Sequence, residues 1–272
     1  GGNVFGWTVD EKTGFAILDA FVEEGFTAID TAEGYPDWVP GNPPGMSETI
    51  IGKWLKARGN REAVHIFTKV NSHKKPGALK PDNIAQSFDA SLKRLQTDYV
   101  DVYFSHWPDS TASHEETLSA YDPMVRAGKV RAIGASNYTA EMVKAAQEVS
   151  VIKSLPRYDV LQPRFNLYDR AEFEALRDTV LENEMGTVVY YSLASGFLTG
   201  KYRSKADFGK SPRGGGMERY LDDKGQRILE ALDTVAKAND ATPAEVSLAW
   251  LVAQPGVTAP IASATSVEQV RS

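Results

Sequence analysis

Residues 26–35 read FTAIDTAEGY, in which a short apolar run ends at Asp30 and Tyr35 follows five residues later. Two further runs have the same form, since VHIFTK ends at Lys69 and VDVYFSH ends at His106. Short apolar, β-branched runs that end at polar residues predict buried strands. If these strands are neighbours in a parallel sheet, the four polar side chains project from one edge and converge on one small volume.

Apolar runs and amphipathic helical stretches alternate along the chain, beginning TAID, ETIIGKWLKAR, VHIFTK and PDNIAQSFDASLKRLQ. Such alternation predicts βαβ units and a parallel sheet. About eight repeats predict an α/β fold of the (β/α)8 TIM barrel type, with residues 1–272 as a single domain. Catalytic residues of such barrels lie at the C-terminal strand ends. The residues that fall there are Asp30, Tyr35, Lys69, His106, Asn137, Gln162 and Tyr190.

The composition is that of an ordinary globular protein, with 42% hydrophobic and 24% charged residues and a net charge of -6. The acidic balance argues against nucleic acid as a partner, because nucleic-acid binders normally carry a basic face. No stretch approaches about 18 consecutive apolar residues, so no membrane span is predicted. The absence of cysteine excludes disulfides and thiolate metal sites and fits a reducing cytoplasm, where we expect the protein.

The two ends of the chain predict a fragment of a somewhat longer protein. The sequence opens GGNVFGW without the strand expected to lead into it. It stops at SVEQVRS, partway into an apparent helix. We therefore expect an α/β barrel trimmed at both termini.

The four residues at the strand ends suggest a specific acid. A phenol with an ordinary pKa of about 10 is a poor proton donor at neutral pH, but a nearby ammonium stabilises the phenolate and lowers that pKa. Lys69 could act in this way on Tyr35, with Asp30 holding the lysine charged and in place. His106 could hydrogen-bond a substrate carbonyl oxygen. The set predicts an acid that protonates an oxyanion, and the accompanying hydride must come from a cofactor.

Four motifs together resemble the aldo-keto reductase superfamily: DTAEGY, the lysine closing VHIFTK, LKRLQTDYVDVYFSHWPD and GKVRAIGASNY. They occur in the family's order, over essentially the whole chain. The segments YYSLASGFLTGK and SATSVEQ are closest in type to the branch that includes potassium-channel β subunits. The resemblance implies NAD(P)H-dependent reduction of a small aldehyde or ketone to the alcohol. It assigns the catalytic roles to Asp30, Tyr35, Lys69 and His106.

No G-x-G-x-x-G follows the first strand, so a Rossmann site is not predicted. The resemblance instead implies a dispersed cofactor site, with NADP(H) favoured and NAD(H) as the alternative. Within it, Tyr190 rather than Tyr191 would stack on the nicotinamide, and the backbone of residues 193–196 would face the pyrophosphate. The implied cofactor-binding residues are Gly2, Asn3, Asp30, Ser136, Asn137, Gln162, Tyr190, Ser192, Leu193, Ser195, Gly196, Lys201, Arg213, Ser263, Thr265 and Gln269.

The terminal segment PIASATSVEQV resembles the part of the family that reaches the adenosine phosphate. It lacks the lysine and arginine with which several branches of the family bind a 2'-phosphate. Lys201, Arg213 and Arg271 are the cations that could compensate. Residues 203–220, with three consecutive glycines, predict a flexible loop that could close over a phosphate-bearing ligand.

Three tryptophans predict the substrate pocket. Trp7, Trp38 and Trp107 follow strand ends or lie in loops at the catalytic face, where they could form an apolar cup for a carbonyl substrate. Ordinary packing is the alternative. The proline-rich residues 36–44 could wall the same pocket, or form a rigid surface turn.

The same residues are compatible with two other functions. A barrel hydrolase would pair Asp30 with a second carboxylate across the pocket, for which Glu33 or Asp109 is available. A regulatory subunit would bind the cofactor on the same fold and accompany a partner protein. No metal site is predicted, because the histidines lack a ligand spacing and a lysine beside the site would compete with a cation.

Overall fold

The computed structural model describes all residues, 1–272, and divides into two compact units, Gly1–Leu161 with Ser263–Ser272 and Gln162–Ala262. The strands are β1 (Ala28–Asp30), β2 (His65–Val70), β3 (Val100–Ser105), β4 (Val130–Ser136), β5 (Tyr158–Gln162), β6 (Gly186–Val189) and β7 (Ala259–Pro260). The α-helices are α1 (Glu11–Glu23), α2 (Met46–Arg58), α3 (Pro81–Leu95), α4 (His114–Arg126), α5 (Ala140–Lys153), α6 (Ala171–Glu182), α7 (Asp223–Ala238), α8 (Pro243–Val252) and α9 (Val267–Arg271).

In the first unit, the strands pair in parallel and in chain order. Strand β1 pairs with β2, β2 with β3, and β3 with β4. Asp30 lies beside Phe67, and Lys69 lies beside Phe104. Every residue of β3 is buried, as expected for a strand covered on both faces. The carboxyl ends of β1, β2 and β3 therefore meet at one edge of the sheet.

The alternation of parallel strands and helices confirms the predicted α/β class. The structure has seven strands, so the eighth strand is not confirmed. Residues ahead of β1 form a short 3-10 helix, Gly2–Val4, and then α1, whose start is capped by the Asp10 side chain. Helix α7 leads into α8 with no strand between them, and Thr242 and Glu245 form a capping box that starts α8. Closure as a barrel and a single domain over residues 1–272 stay predictions.

Helix α2 packs closely on α3 and is anchored to β2 beneath the site. A Cβ at Gly52 would lie 2.1 Å from the Arg94 carbonyl oxygen, so only glycine allows this approach of the two backbones. Glu48, at the start of α2, is fully buried. It accepts a hydrogen bond from Thr68 at 2.5 Å and one from Arg94 Nε at 2.7 Å. The buried carboxylate is therefore paired, as burial of a charge requires.

In the second unit, β6 pairs in parallel with β7. The segment after β6 folds into 3-10 helices at Ala194–Thr199, Lys205–Lys210, Gly214–Gly216 and Glu218–Tyr220. These turns cover a buried cluster that includes Phe197, Tyr202, Met217 and Tyr220. Gly214–Gly216 is therefore a helical turn next to a core, where the sequence had predicted a flexible loop. None of the helices combines the length and the apolar character needed to cross a membrane.

Candidate active site

Asp30 and Lys69 form a buried ion pair at the ends of β1 and β2. Lys69 Nζ lies 2.7 Å from Asp30 Oδ1, and the lysine side chain is 0% exposed. The same ammonium donates to the Thr31 carbonyl oxygen at 2.6 Å. Burial lowers the pKa of the Lys69 ammonium, and the Asp30 carboxylate opposes that shift. The pair holds a cation in a fixed place at the edge of the sheet.

Tyr35 and His106 lie next to this pair. Lys69 Nζ is 4.9 Å from the centre of the Tyr35 ring. The rings of Tyr35 and His106 meet edge to face, with centroids 5.8 Å apart and planes at 78°. The His106 backbone N–H donates to the Val70 carbonyl oxygen at 2.9 Å, which ties the residue after β3 to the end of β2. The structure thus brings together the four residues predicted to be catalytic.

His106 is held in its neutral form. Burial lowers the pKa of its imidazole well below the ordinary value, and Coulombic interactions with Lys69 and Lys74 act in the same direction. A neutral imidazole carries one N–H donor and one nitrogen acceptor. His106 can therefore donate a hydrogen bond to an oxygen without being a proton source itself.

Ser136 ends β4 in the same unit, and Asn137, which follows it, connects to His106. Asn137 Nδ2 donates to the His106 carbonyl oxygen at 2.8 Å and to Ser136 Oγ at 3.0 Å. Asn137 has a φ of 61°, in the left-handed region that asparagine tolerates better than most residues. The turn after β4 is thereby fastened to the end of β3.

The residues predicted at the adenosine phosphate, Ser263, Thr265 and Gln269, lie in the first unit, where Ser263 contacts the N-terminal residues. Ser263 Oγ donates to the Gly1 carbonyl oxygen at 2.8 Å and lies 3.0 Å from Asn3 Oδ1. Gln269 Oε1 accepts bonds from the Thr265 backbone and hydroxyl. Ser47 Oγ donates to the Gly2 carbonyl oxygen at 2.8 Å. The polar cluster is therefore assembled largely from neutral groups.

Arg271, one of the cations considered for a 2'-phosphate, lies against helix α1. Its guanidinium contacts Glu23 at 3.1 Å and Glu24 at 3.3 Å. Both pairs are solvent-exposed and so contribute little to stability. The Arg271 guanidinium is nevertheless already paired with two carboxylates, which argues against Arg271 as a phosphate ligand.

The other predicted cofactor residues, including Gln162 at the end of β5, belong to the second unit. Tyr190 is half-buried, and its backbone forms an isolated parallel β-bridge with Arg164. Burial raises the pKa of its phenol to about 12. Tyr191 has a φ of 55° and is 44% exposed. The buried Ser192 hydroxyl donates to the Val189 carbonyl oxygen at 3.0 Å. The structure thus places Tyr190 and Tyr191 in clearly different environments.

The turn of residues 193–196 has an unusual backbone. Ala194, Ser195 and Gly196 have φ values of 48°, 58° and 101°. Successive backbone N–H groups in such turns can form anion-binding concavities. Two of the four amides are already engaged, because Ala194 donates to Tyr191 and Gly196 donates to Leu193. A Cβ at Gly196 would lie 3.5 Å from Lys201 Nζ, so a lysine ammonium adjoins this turn.

Arg213 lies beside the Gly214–Gly216 turn. Burial lowers the pKa of its guanidinium, and the nearby Tyr191 and Tyr202 phenols oppose the shift. Its charge is therefore less well solvated than that of an exposed arginine. A partly desolvated guanidinium is a group that an anion would stabilise.

The tryptophans predicted to line the pocket surround the acid in the first unit. Trp7 and Trp38 make an edge contact at 5.6 Å, and Trp38 makes another with Tyr35 at 5.9 Å. Trp107 stacks on His106 with centroids 6.0 Å apart. These contacts agree with an aromatic wall on two sides of the phenol and imidazole.

Several residues around the site are not among those predicted for a reductase. Ser72 Oγ lies 3.1 Å from His106 Nδ1. Glu33 Oε1 accepts the backbone N–H of Asn71 at 2.8 Å. Lys74 Nζ lies 3.4 Å from the centre of the Trp107 ring. Their only sequence signal is that they come directly after strands β1 and β2.

The carboxylates nominated for a hydrolase are engaged elsewhere. Asp30 is paired with Lys69, and Glu33 bonds the backbone amides of the next loop. Asp109 accepts bonds from Thr111 and from the Leu79 amide. Glycoside hydrolysis requires two carboxyl groups that flank the scissile bond. The observed contacts therefore disfavour this alternative, and no cluster of three or more His, Cys, Asp or Glu side chains is placed to hold a metal ion.

The ends of the parallel strands bring together a tyrosine, a lysine, an aspartate and a histidine. The chain is therefore an α/β protein with a polar site at the carboxyl edge of its sheet. The chain belongs to the Aldo/keto reductase family, whose profile matches residues 1–272. This confirms the resemblance found in the sequence.

Curated relatives agree with this assignment. "Aldo-keto reductase YhdN" of Bacillus subtilis is 33% identical over 264 residues, covering 94% of this chain and 76% of the relative. "Protein tas" of Escherichia coli is 33% identical over 301 residues, covering 98% and 85%. "Aldo-keto reductase yakc [NADP(+)]" of Schizosaccharomyces pombe is 32% identical over 254 residues, covering 90% and 72%. The chain is therefore a member of a family of carbonyl-reducing oxidoreductases.

Proposed function

We propose that this protein reduces a small aldehyde or ketone to the alcohol with NAD(P)H, and that Tyr35 supplies the proton. The observation that carries the proposal is the arrangement of Tyr35 between the Lys69–Asp30 pair and the neutral His106. When bound, the nicotinamide supplies the hydride that the carbonyl carbon requires. All other contributions come from side chains of the chain itself.

Tyr35 donates its phenolic proton to the carbonyl oxygen as negative charge develops there. The Lys69 ammonium stabilises the resulting phenolate by its charge, so the proton leaves more readily. Asp30 favours the charged form of the lysine and so opposes the effect of its complete burial. His106, as a neutral donor, hydrogen-bonds the same oxygen and orients it toward the phenol. The O–H bond of Tyr35 breaks as the O–H bond of the alcohol forms.

A dinucleotide suits the chemistry of both groups of predicted cofactor residues. The first unit offers Ser136 and Asn137 near His106, and the neutral cluster around Ser263. The second unit offers the half-buried Tyr190 ring and the left-handed turn beside Lys201. We favour NADP(H) because Arg213 is a partly desolvated cation. The name of the Schizosaccharomyces pombe relative, "Aldo-keto reductase yakc [NADP(+)]", supports the same choice.

The proposal is tested with a panel of aldehydes, ketones and 4-keto sugars, each assayed with NADPH and NADH at matched concentrations. We expect oxidation of the reduced cofactor that depends on the carbonyl compound and yields the alcohol. A protein that binds NADPH but oxidises it with no member of the panel would instead support the cofactor-binding regulatory subunit.

Arg213→Ala tests the choice of cofactor. A 2'-phosphate is close to a dianion at neutral pH, and hydrogen bonds to charged groups contribute about 1 to 3 kcal/mol. We expect NADPH to bind more weakly by about that amount and NADH to be affected much less. Dissociation constants from fluorescence titration measure both.

Arg227→Ala is the matched control, because Arg227 is an exposed arginine on α7 in the same unit. Equal weakening of both cofactors would move Arg213 to the pyrophosphate. No effect on either cofactor would leave Arg213 without a role in binding.

Tyr190→Ala and Tyr191→Ala together test the nicotinamide contact. Aromatic stacking contributes about 0.5 to 1.5 kcal/mol beyond the buried area. We expect Tyr190→Ala to weaken NADPH binding by at least this amount and to reduce the quenching of protein fluorescence. The exposed Tyr191 should matter less. Equal or reversed losses would assign the stacking ring to Tyr191.

A further inference from the structure

The loop after β2 is fastened to the segment that carries Tyr35. Glu33 Oε1 accepts the backbone N–H of Asn71 at 2.8 Å and that of Ser72 at 3.3 Å. In return, the Gly34 backbone N–H donates to Ser72 Oγ at 3.3 Å. Three hydrogen bonds therefore fix residues 71–72 against residues 33–34, next to the proposed acid, and two of them involve Ser72.

The close approach of Ser72 depends on glycine at position 34. A Cβ built on Gly34 would lie 2.6 Å from Ser72 Cβ and 3.0 Å from Ser72 Oγ. The first distance is too short for two carbon atoms, so any other residue would push the serine away. Gly34 does not have a positive φ, so the requirement concerns space rather than backbone conformation.

Ser72 Oγ lies 3.1 Å from His106 Nδ1, within hydrogen-bond distance. A hydroxyl has one proton to donate and lone pairs that accept. The Gly34 N–H already occupies one lone pair of this oxygen. If the Ser72 hydroxyl donates its proton to Nδ1, then the Gly34 N–H, the Ser72 hydroxyl and His106 Nδ1 each have a partner. The single proton of neutral His106 is then on Nε2. The reverse arrangement would give Ser72 Oγ two donors and leave its proton without an acceptor in the protein.

The other groups around His106 do not compete for Nδ1. The Tyr35 ring meets the imidazole edge to face, and Trp107 stacks on it. Lys69 and Lys74 act on His106 through charge. The Ser72 hydroxyl is therefore the group that donates a hydrogen bond to His106 Nδ1.

We propose that Ser72 is a positioning residue, which fixes His106 in the tautomer protonated at Nε2 so that the opposite side of the ring presents an N–H to the substrate carbonyl. The proposal rests on the function proposed above for the orienting role of His106. The tautomer itself is a property of the protein without substrate. Its measurement is therefore independent of whether carbonyl reduction is found.

The direct test is two-bond ¹H–¹⁵N correlation NMR of the labelled protein, which distinguishes the two ring nitrogens. The His106 signals are assigned by their loss in His106→Asn. We expect a single neutral tautomer with the proton on Nε2, and a mixture of both tautomers in Ser72→Ala. A proton on Nδ1 in the unsubstituted protein would overturn the proposal, as would an unchanged tautomer in Ser72→Ala.

Kinetic measurements provide a second test of the role of Ser72. Loss of one hydrogen bond that positions the donor should lower kcat about 3- to 10-fold in Ser72→Ala, with a smaller effect on KM. Ser72→Thr retains the hydroxyl and should recover most of the rate. Gly34→Ala retains Ser72 but displaces it, so this variant should show the same loss and the same mixture of tautomers.

Ser110→Ala is the control, because Ser110 is an exposed serine in the loop after β3. It should change neither the rate nor the NMR signals. A Ser72→Ala protein with an altered tautomer and full activity would refute the role of the tautomer in orienting the substrate. No activity in the unsubstituted protein would count against the proposed function, while the NMR result would still decide the tautomer.

Discussion

Tyr35→Phe is expected to lower turnover in carbonyl reduction by ~10² to 10⁴-fold, as loss of a general acid does. The change deletes one hydroxyl and keeps the ring that contacts Lys69, Trp38 and His106. Folding and cofactor affinity should therefore remain nearly unchanged. Steady-state kinetics, thermal unfolding and NADPH titration measure the three quantities.

A matched control for this variant is Tyr191→Phe, which removes a hydroxyl from an exposed tyrosine. It should leave turnover close to that of the unsubstituted protein. If Tyr35→Phe retained more than half of the activity, the proton would have to come from another group, and the role of Tyr35 as the acid would be abandoned.

Lys69→Met is expected to produce the second large effect, a loss of turnover on the order of 10²-fold or more. Reduction requires the protonated phenol, so activity falls as the pH rises through the phenol's pKa. The Lys69 ammonium favours the phenolate, and its removal should move that fall to higher pH. The pH profile of kcat measures the direction of the change. An active variant with an unchanged profile would contradict the assignment.

The same substitution also affects stability, because it leaves Asp30 buried without its partner. Breaking a buried ion pair in this way costs about 3 to 5 kcal/mol. Lys69→Met combined with Asp30→Asn is the control, since the asparagine removes the unpaired charge. The double variant should recover part of the free energy of unfolding while turnover stays low. Recovery of turnover with stability would mean that Lys69 acts only structurally.

The sequence alone was sufficient to predict the parallel α/β organisation and the four residues of the proposed acid site. Strand and helix signals are local, because an apolar run of a few residues reports its own burial. Asp30, Lys69 and His106 each end such a run, and parallel neighbours bring these ends to one edge. Tyr35 could be added because DTAEGY places it in the turn that directly follows β1.

Other features could be decided only by the folded chain. The residues ahead of α1 form a short 3-10 helix, Gly2–Val4, and the chain has seven strands where about eight repeats were expected. Arg271 looks like a free cation in the sequence, but α9 lies against α1 and brings it to Glu23 and Glu24. The glycine-rich turn looks flexible, yet it packs over a buried aromatic cluster.

Ser72 illustrates the physical reason for this division. In the sequence it is one polar residue in a loop, without periodicity or a motif that marks it. Its partners Gly34 and His106 lie 38 and 34 residues away along the chain. Their hydrogen bonds need distances near 3 Å, which depend on the space left by an absent side chain at Gly34. Local patterns specify which residues end a strand, whereas contacts between loops are set by tertiary packing.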